Sequence, residues 1–407
     1  MSDSTGCCFV VEARLLRNGS AYWDPRQSFP RDHWAESLQV FGRIRVLART
    51  QTTEESPHSA VTFPSEVSVG EFPYYIGPMS AARKSIALIR AGRDWARREN
   101  AFILRIPGFV PSLVWFWLRC FRKRYAVEVL GDPNQVFQVI RHPLRRFWKW
   151  LYRRTQQSMI HHALATLYVS NTLAQLYPSR PGCHALVASD VRLTNEVFTR
   201  PRTYAVAPKP VRLVHVGNME QPYKGHEYLL KAIAICRQAG LAVQATLAGE
   251  GRLRPAFEEM SQGLGLERDV CFRGAVAWGP SLFEILDAAD LFVMCSLTEG
   301  LPKALLEAMA RGLPAVGSDV GGIPELLAPD VLVPAADERK LAEKILALAR
   351  DPKELTRLSS QNFAVASKYR HAVLSQMRVE FYRRFKAALE EPKPGCDPIM
   401  RKRQRSP

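Results

Sequence analysis

The chain has 407 residues, 47% hydrophobic and 23% charged, which suits two domains each with its own core and excludes a disordered or fibrous protein. Its eight cysteines (Cys7, Cys8, Cys120, Cys183, Cys236, Cys271, Cys295, Cys396) show neither CxxC nor Cys/His ligand spacing, which argues against a disulfide framework or zinc site and for a reducing cytosol. The net charge of +17 is concentrated in residues 1–207, which hold 28 Lys and Arg against 15 Asp and Glu, so an anionic partner is expected: phospholipid, a polyprenyl diphosphate or nucleic acid.

The opening MSDSTGCC has no basic region and no long apolar core, so no signal peptide is read. Residues 9–16 and 43–48 read as strands with a helix at 32–40 between them, and 51–64 as a polar loop. Residues 79–99 predict one helix with a strongly basic face, followed by strand 101–106, helix 111–122, strand 125–130 and a turn at Gly131-Asp132-Pro133. The longest apolar run, 109–118, contains Pro111 and Ser112 and falls short of the roughly 20 residues a spanning helix needs. A basic segment at 144–154 leads into a helix ending near His162, then strand 165–170 and helix 172–177. Alternation of strands and helices at this period predicts a parallel sheet with crossovers.

Residues 201–210 (PRTYAVAPKP) read as a linker. A second series follows: strand 211–216, Gly217 and a loop to Lys224-Gly225, helix 226–239, strand 242–247, the turn Ala248-Gly249-Glu250-Gly251, a helix to about Gly263, strand 270–272 and helix 282–288. Residues 291–295 then form an apolar strand, Glu299-Gly300-Leu301 a turn, and 302–311 a helix with Pro302 at its first position and Gly312 just past its end. Such a loop lies at the carboxyl end of a parallel strand, where ligands of open α/β sheets bind and a helix start offers unpaired N–H groups. Glu299 and Glu307 would then flank bound phosphates and accept hydrogen bonds from hydroxyls, which suits a sugar nucleotide. On spacing alone the same residues also describe an amphipathic helix with a solvated Glu307 and Glu299 in an exposed turn. Helices at 337–349, 352–367 and 372–389 complete the pattern.

The set Glu299, Gly300, Pro302, Glu307, Ala308, Gly312, Pro314, Gly321, Gly322, Pro324 and Glu325 resembles the donor-site motif of the retaining glycosyltransferases of family 4. The resemblance implies the GT-B fold: two Rossmann-like α/β domains facing each other across a cleft, an acceptor-binding domain at 1–205, a nucleotide-sugar-binding domain at 206–371, a helix at 372–390 crossing back to the first, and a basic tail at 391–407. It implies transfer of a hexose-type sugar, with retention, from a UDP- or GDP-type sugar. The catalytic residues would be Glu299, Lys224 and Arg105, and the donor would be held by Gly217, Asn218, Lys224, Gly249, Arg252, Glu299, Gly300, Leu301, Pro302, Lys303 and Glu307. The family usually has a basic residue where this chain has Asn218, with Arg252 and Lys303 as possible substitutes. It often has a histidine where this chain reads Leu104-Arg105-Ile106, which is why Arg105 enters the set. No DxD pair occurs, so neither a metal nor another cofactor is expected.

Two stretches speak to the acceptor: 114–118 (VWFWL) with Arg119, Arg122, Lys123 and Arg124, and 145–154 (RRFWKWLYRR). Interleaved aromatics and cations suit an anionic membrane surface, with a glycan or lipid-linked acceptor, and no nucleic-acid motif accompanies them. The expectation is a cytoplasmic enzyme, peripheral on the inner face of the cell membrane, building a polysaccharide such as an exopolysaccharide. The rivals are a soluble transferase acting on a small metabolite and an inactive binding protein of the same fold.

Overall fold

The computed structural model describes residues 6–25, 29, 32–54, 63–133 and 145–391. Most of the loop expected at 51–64, and the tail expected at 391–407 beyond Glu391, lie outside the described residues. The chain divides into two compact units: Met1–Val169, Leu173–Ala188 and Ser375–Pro407 form one, Ser170–Thr172 and Ser189–Leu374 the other.

The first unit is built on β1 (Cys7–Asn18), β2 (Ala21–Trp23), β3 (Ile44–Thr52), β4 (Val67–Pro73), β5 (Phe102–Ile106), β6 (Ala126–Val129), β7 (Ala165–Tyr168) and β8 (His184–Val187). Their order is β4-β3-β1-β5-β6-β7-β8, parallel throughout, with β2 antiparallel on the end of β1. Its helices are α1 (Ala35–Phe41), α2 (Gly77–Arg83), α3 (Ser85–Arg98), α4 (Phe109–Cys120), α5 (Arg145–His161) and α6 (Asn171–Leu176). Strands such as β5 are apolar and buried at nearly every position because helices cover both sheet faces. On one face Val10, Leu47, Leu104 and Val127 meet Leu88 of α3, Val114 of α4 and Ile160 of α5 in one core. On the other, Phe9 packs against Trp34 and against Tyr382 of the last helix, α13 (His371–Glu390).

The second unit carries β9 (Val211–Val216), β10 (Val243–Ala248), β11 (Val270–Gly274), β12 (Leu291–Met294), β13 (Ala315–Ser318) and β14 (Leu332–Val333), all parallel, in the order β11-β10-β9-β12-β13-β14. Its helices are α7 (His226–Gln238), α8 (Arg254–Gly263), α9 (Pro280–Ala288), α10 (Lys303–Ala310), α11 (Glu338–Ala349) and α12 (Pro352–Ser367). α11 and α12 start where Asp337 and Asp351 cap the backbone N–H groups of Lys340 and Glu354.

Several local expectations differ from the structure. The single helix at 79–99 is two helices, α2 and α3, with Lys84 at φ −103° and ψ 12° between them. β2, β4, β8, β13 and β14 were not foreseen. The stretch 201–210 is strapped to the second unit in its first part: the Arg202 N–H donates to Ser359 Oγ at 2.7 Å, and the Tyr204 N–H to Thr356 Oγ1 at 3.0 Å.

Candidate functional site

In chain order the second sheet reads third, second, first, fourth, fifth, sixth strand. The crossovers from β9 and to β12 therefore leave in opposite directions, and a crevice opens beyond the carboxyl ends of these two neighbours. The loops after β9, β10, β11, β12 and β13 all leave from this edge of the sheet. Two glycines let them close on each other. A Cβ on Gly225, at φ +76°, would lie 1.9 Å from the Cys295 carbonyl oxygen, and one on Gly321, at φ +56°, 1.9 Å from that of Glu299. The Gly322 N–H also donates to the Gly300 carbonyl at 2.8 Å.

This backbone clamp sets the charged groups. Lys224 ends the tight turn Pro222–Lys224, and its ammonium donates to Glu299 Oε1 at 2.7 Å. Ser296 Oγ donates to the same oxygen at 2.6 Å, and Glu299 is only 8% exposed. Helix α10 begins at Lys303, one residue later than expected, because Pro302 at ψ 110° is the extended cap preceding it. By helix geometry the N–H groups of its first turn have no partner within the helix, and they present a partial positive charge beside Glu299.

Glu307, one turn into α10, is half-buried and accepts the Trp278 indole N–H at 2.9 Å. Burial pushes its carboxyl up to about 7, against the opposing effects of that indole and of Lys303. Behind the loops, His215 and His226 are fully buried with rings 4.6 Å apart, and His215 Nδ1 lies 2.8 Å from the Val293 carbonyl. Burial lowers both, His215 to about 4 and His226 to about 2, so both are neutral.

The remaining expected site residues fall as follows. Gly217 and Asn218 follow β9, and Asn218 Nδ2 donates to the Tyr223 hydroxyl at 3.2 Å. Gly249 follows β10, and Arg252 Nε is turned onto the Glu220 carbonyl at 2.9 Å. Lys303 is 57% exposed in its side chain and lies 3.6 Å from Asp190. Gly300, Leu301 and Pro302 form the loop into α10. Lys224, Glu299, Gly300, Leu301, Pro302, Lys303 and Glu307 thus surround the start of one helix.

Arg105 belongs to the first unit and sits in the expected strand, β5, where it is 4% exposed. It lies 3.0 Å from Glu128 and 2.8 Å from His33, and Glu128 in turn takes Arg378 at 3.2 Å and the Tyr382 hydroxyl at 2.6 Å. Its charge is spent holding α13 to the sheet.

Ser296, Trp278 and Glu12 escaped the sequence reading. Glu12 lies at the irregularity in β1, beside the first sheet's own reversal between β1 and β5; it accepts the Val110 N–H at the start of α4 at 2.8 Å and the Tyr75 hydroxyl at 2.9 Å, and pairs with Arg49 at 2.9 Å. The only advance signal was an acid interrupting an apolar strand. A hollow at the opposite, amino edge of the second sheet is lined by Arg202, Arg212 and Arg311, but carbonyls, Asp287 and Asp290 already occupy these cations.

A doubly wound sheet with a basic side chain, a carboxylate and a helix start at its reversal point is the arrangement in which open α/β sheets take up anionic ligands. Residues 210–351 match the family model described as Glycosyl transferases group 1. Over 316 residues, 77% of this chain and 78% of the relative, the sequence is 22% identical to Protein CapJ of Staphylococcus aureus. It is 35% identical over 153 residues to the amylovoran biosynthesis glycosyltransferase AmsK of Erwinia amylovora, a match covering 35% of this chain and 37% of that one. Among solved structures, the Anabaena protein Alr3699/HepE in complex with UDP superposes with a TM-score of 0.64 at 17% identity, over 92% of this chain and 99% of that one. The chain has the GT-B fold, and its residues 210–351 are similar to the group 1 glycosyltransferases.

Proposed function

We propose that the second unit binds a UDP- or GDP-type sugar and that the protein transfers its hexose, with retention of configuration, to a lipid-linked glycan during bacterial polysaccharide assembly. The observation that carries the reading is the Lys224–Glu299 pair at the carboxyl ends of β9 and β12, beside the start of α10. The Lys224 ammonium and the α10 amides would neutralise the diphosphate as the bond from the sugar C1 to its oxygen breaks. The acceptor hydroxyl oxygen bonds to C1, and its proton passes to the departing phosphate oxygen, so no protein nucleophile is required. Glu299 would orient the hexose and Glu307 would accept the ribose hydroxyls. No protein-bound metal takes part.

The UDP complex of the HepE neighbour and the amylovoran assignment of AmsK support the donor class and the polysaccharide setting. A lipid-linked acceptor would place the enzyme at the inner face of the cell membrane, and among the described residues no helix is long and apolar enough to cross it. The test is release of nucleoside diphosphate over a panel of UDP- and GDP-sugars, with and without chelator. Lys224→Ala and Glu299→Ala should each lower turnover about 100-fold or more, with chelator making no difference. Equal turnover of wild type and both variants would overturn the assignment.

A further inference from the structure

Helices α3, α4 and α5 form one layer on one face of the first sheet, joined to it through a common core. Their outer surface is unlike that of an ordinary soluble domain. In α5 the five consecutive residues Arg146, Phe147, Trp148, Lys149 and Trp150 are all exposed. Residues in a helix advance by about 100° each, so five in succession pass all the way round the axis, and this stretch stands clear of the core. It nevertheless carries three large aromatics, with Phe147 51%, Trp148 42% and Trp150 54% exposed. The rings contact one another, Phe147 to Trp148 at 5.6 Å and to Trp150 at 6.2 Å. A cluster of this kind facing water is costly unless something covers it.

The charge around it specifies the cover. Arg146, Lys149, Arg153 and Arg154 are exposed on the same helix, and the Arg154 guanidinium lies 5.7 Å from the Trp150 ring. Neither α4 nor α5 contains an Asp or Glu. The adjoining helices extend the pattern with Phe116 (53%) and Arg119 on α4, Ile86 (66%), Ile89 (46%) and Arg90 on α3, and Lys84 just before α3. We propose that the outer face of α3, α4 and α5 docks on an anionic lipid surface, with Phe147, Trp148 and Trp150 entering among the headgroups while the arginines and lysines meet phosphate. Indole rings favour that depth, long basic stems reach back to the charged plane, and each cation near an anionic surface adds to the attraction.

The inference concerns a surface of the first unit and is independent of which sugar is transferred. Its test is flotation of the full chain with phosphatidylcholine vesicles, with and without phosphatidylglycerol. Wild type should float only with the anionic vesicles, and its tryptophan emission should shift to the blue. The triple variant Phe147→Ser/Trp148→Ser/Trp150→Ser should lose about 10-fold or more of that binding, and Arg146→Glu/Lys149→Glu/Arg153→Glu/Arg154→Glu should abolish it. Both sets change only exposed side chains, and circular dichroism together with diphosphate release from a soluble donor verifies that the fold and donor site are intact. Unchanged flotation of the triple variant would overturn the proposal. So would tighter binding to RNA than to vesicles without an emission shift, or light scattering that shows a dimer lost in the triple variant, since a second copy would then be the cover.

Discussion

At Glu307 two opposing influences meet on one carboxyl: burial raises it to about 7, and the Trp278 indole N–H favours its ionised form. An ionised carboxylate accepts two hydroxyl hydrogens, whereas a protonated one gives up part of that capacity. Donor affinity should therefore rise through pH 7. Glu307→Gln should weaken binding about 10-fold and flatten the dependence, as read by calorimetric titration of the nucleotide between pH 6 and 8. A parallel profile in the variant would remove Glu307 from donor binding. The buried imidazoles act on stability instead. Between pH 6.5 and about 4 the unfolded chain binds a proton at position 215 that the native chain does not, so stability rises with pH across that window. For His215 alone the difference is on the order of 3 kcal/mol. Glu307, shifted upward, has the opposite sign, and its contribution fades as pH rises towards 7. Urea midpoints at pH 7 and pH 5 should therefore differ more for wild type than for His215→Gln.

Among the elements, the loops at the carboxyl edge depend on backbone contact. Gly225→Ala places a methyl group 1.9 Å from the Cys295 carbonyl, and no rotamer relieves it. The substitution should cost about 2–4 kcal/mol and lower the thermal midpoint, while Gly240→Ala, also at positive φ but in open space, should cost far less. The strand, turn and helix around Glu299 were legible because each has its own local marker: an apolar run, Gly300, Pro302 and Gly312. β13 was not, since Ala315–Ser318 is four residues long with a glycine inside, and only its neighbours β12 and β14 make it a strand. β4 was lost in the same way through Gly70, which is kept small by the Trp95 ring 3.1 Å from where its Cβ would stand. Glu299 could be singled out by motif, but its partner Ser296 and the Trp278 that meets Glu307 come from folded loops and leave no periodic trace. Arg105 looked like a strand-end cation, and its burial under α13 could not be read without knowing that Arg378 and Tyr382 return to the same carboxylate.

At the scale of the whole molecule, that carboxylate is a keystone of the first unit. Glu128 is 1% exposed and takes charge or a hydroxyl from Arg105, Arg378 and Tyr382. Glu128→Ala leaves two buried guanidinium groups unbalanced and should cost about 3–5 kcal/mol in denaturant unfolding. The first unit is also discontinuous: Ser375–Pro407 belongs to it, although Ser189–Leu374 intervenes. During translation the early sheet must therefore wait, with Phe9 and Phe41 lacking the Tyr382 ring that packs on them, until residues 375–390 have left the ribosome. Halting synthesis before residue 375 would strand a sticky half-built body, a natural client for chaperones, whatever the quality of the portion already made.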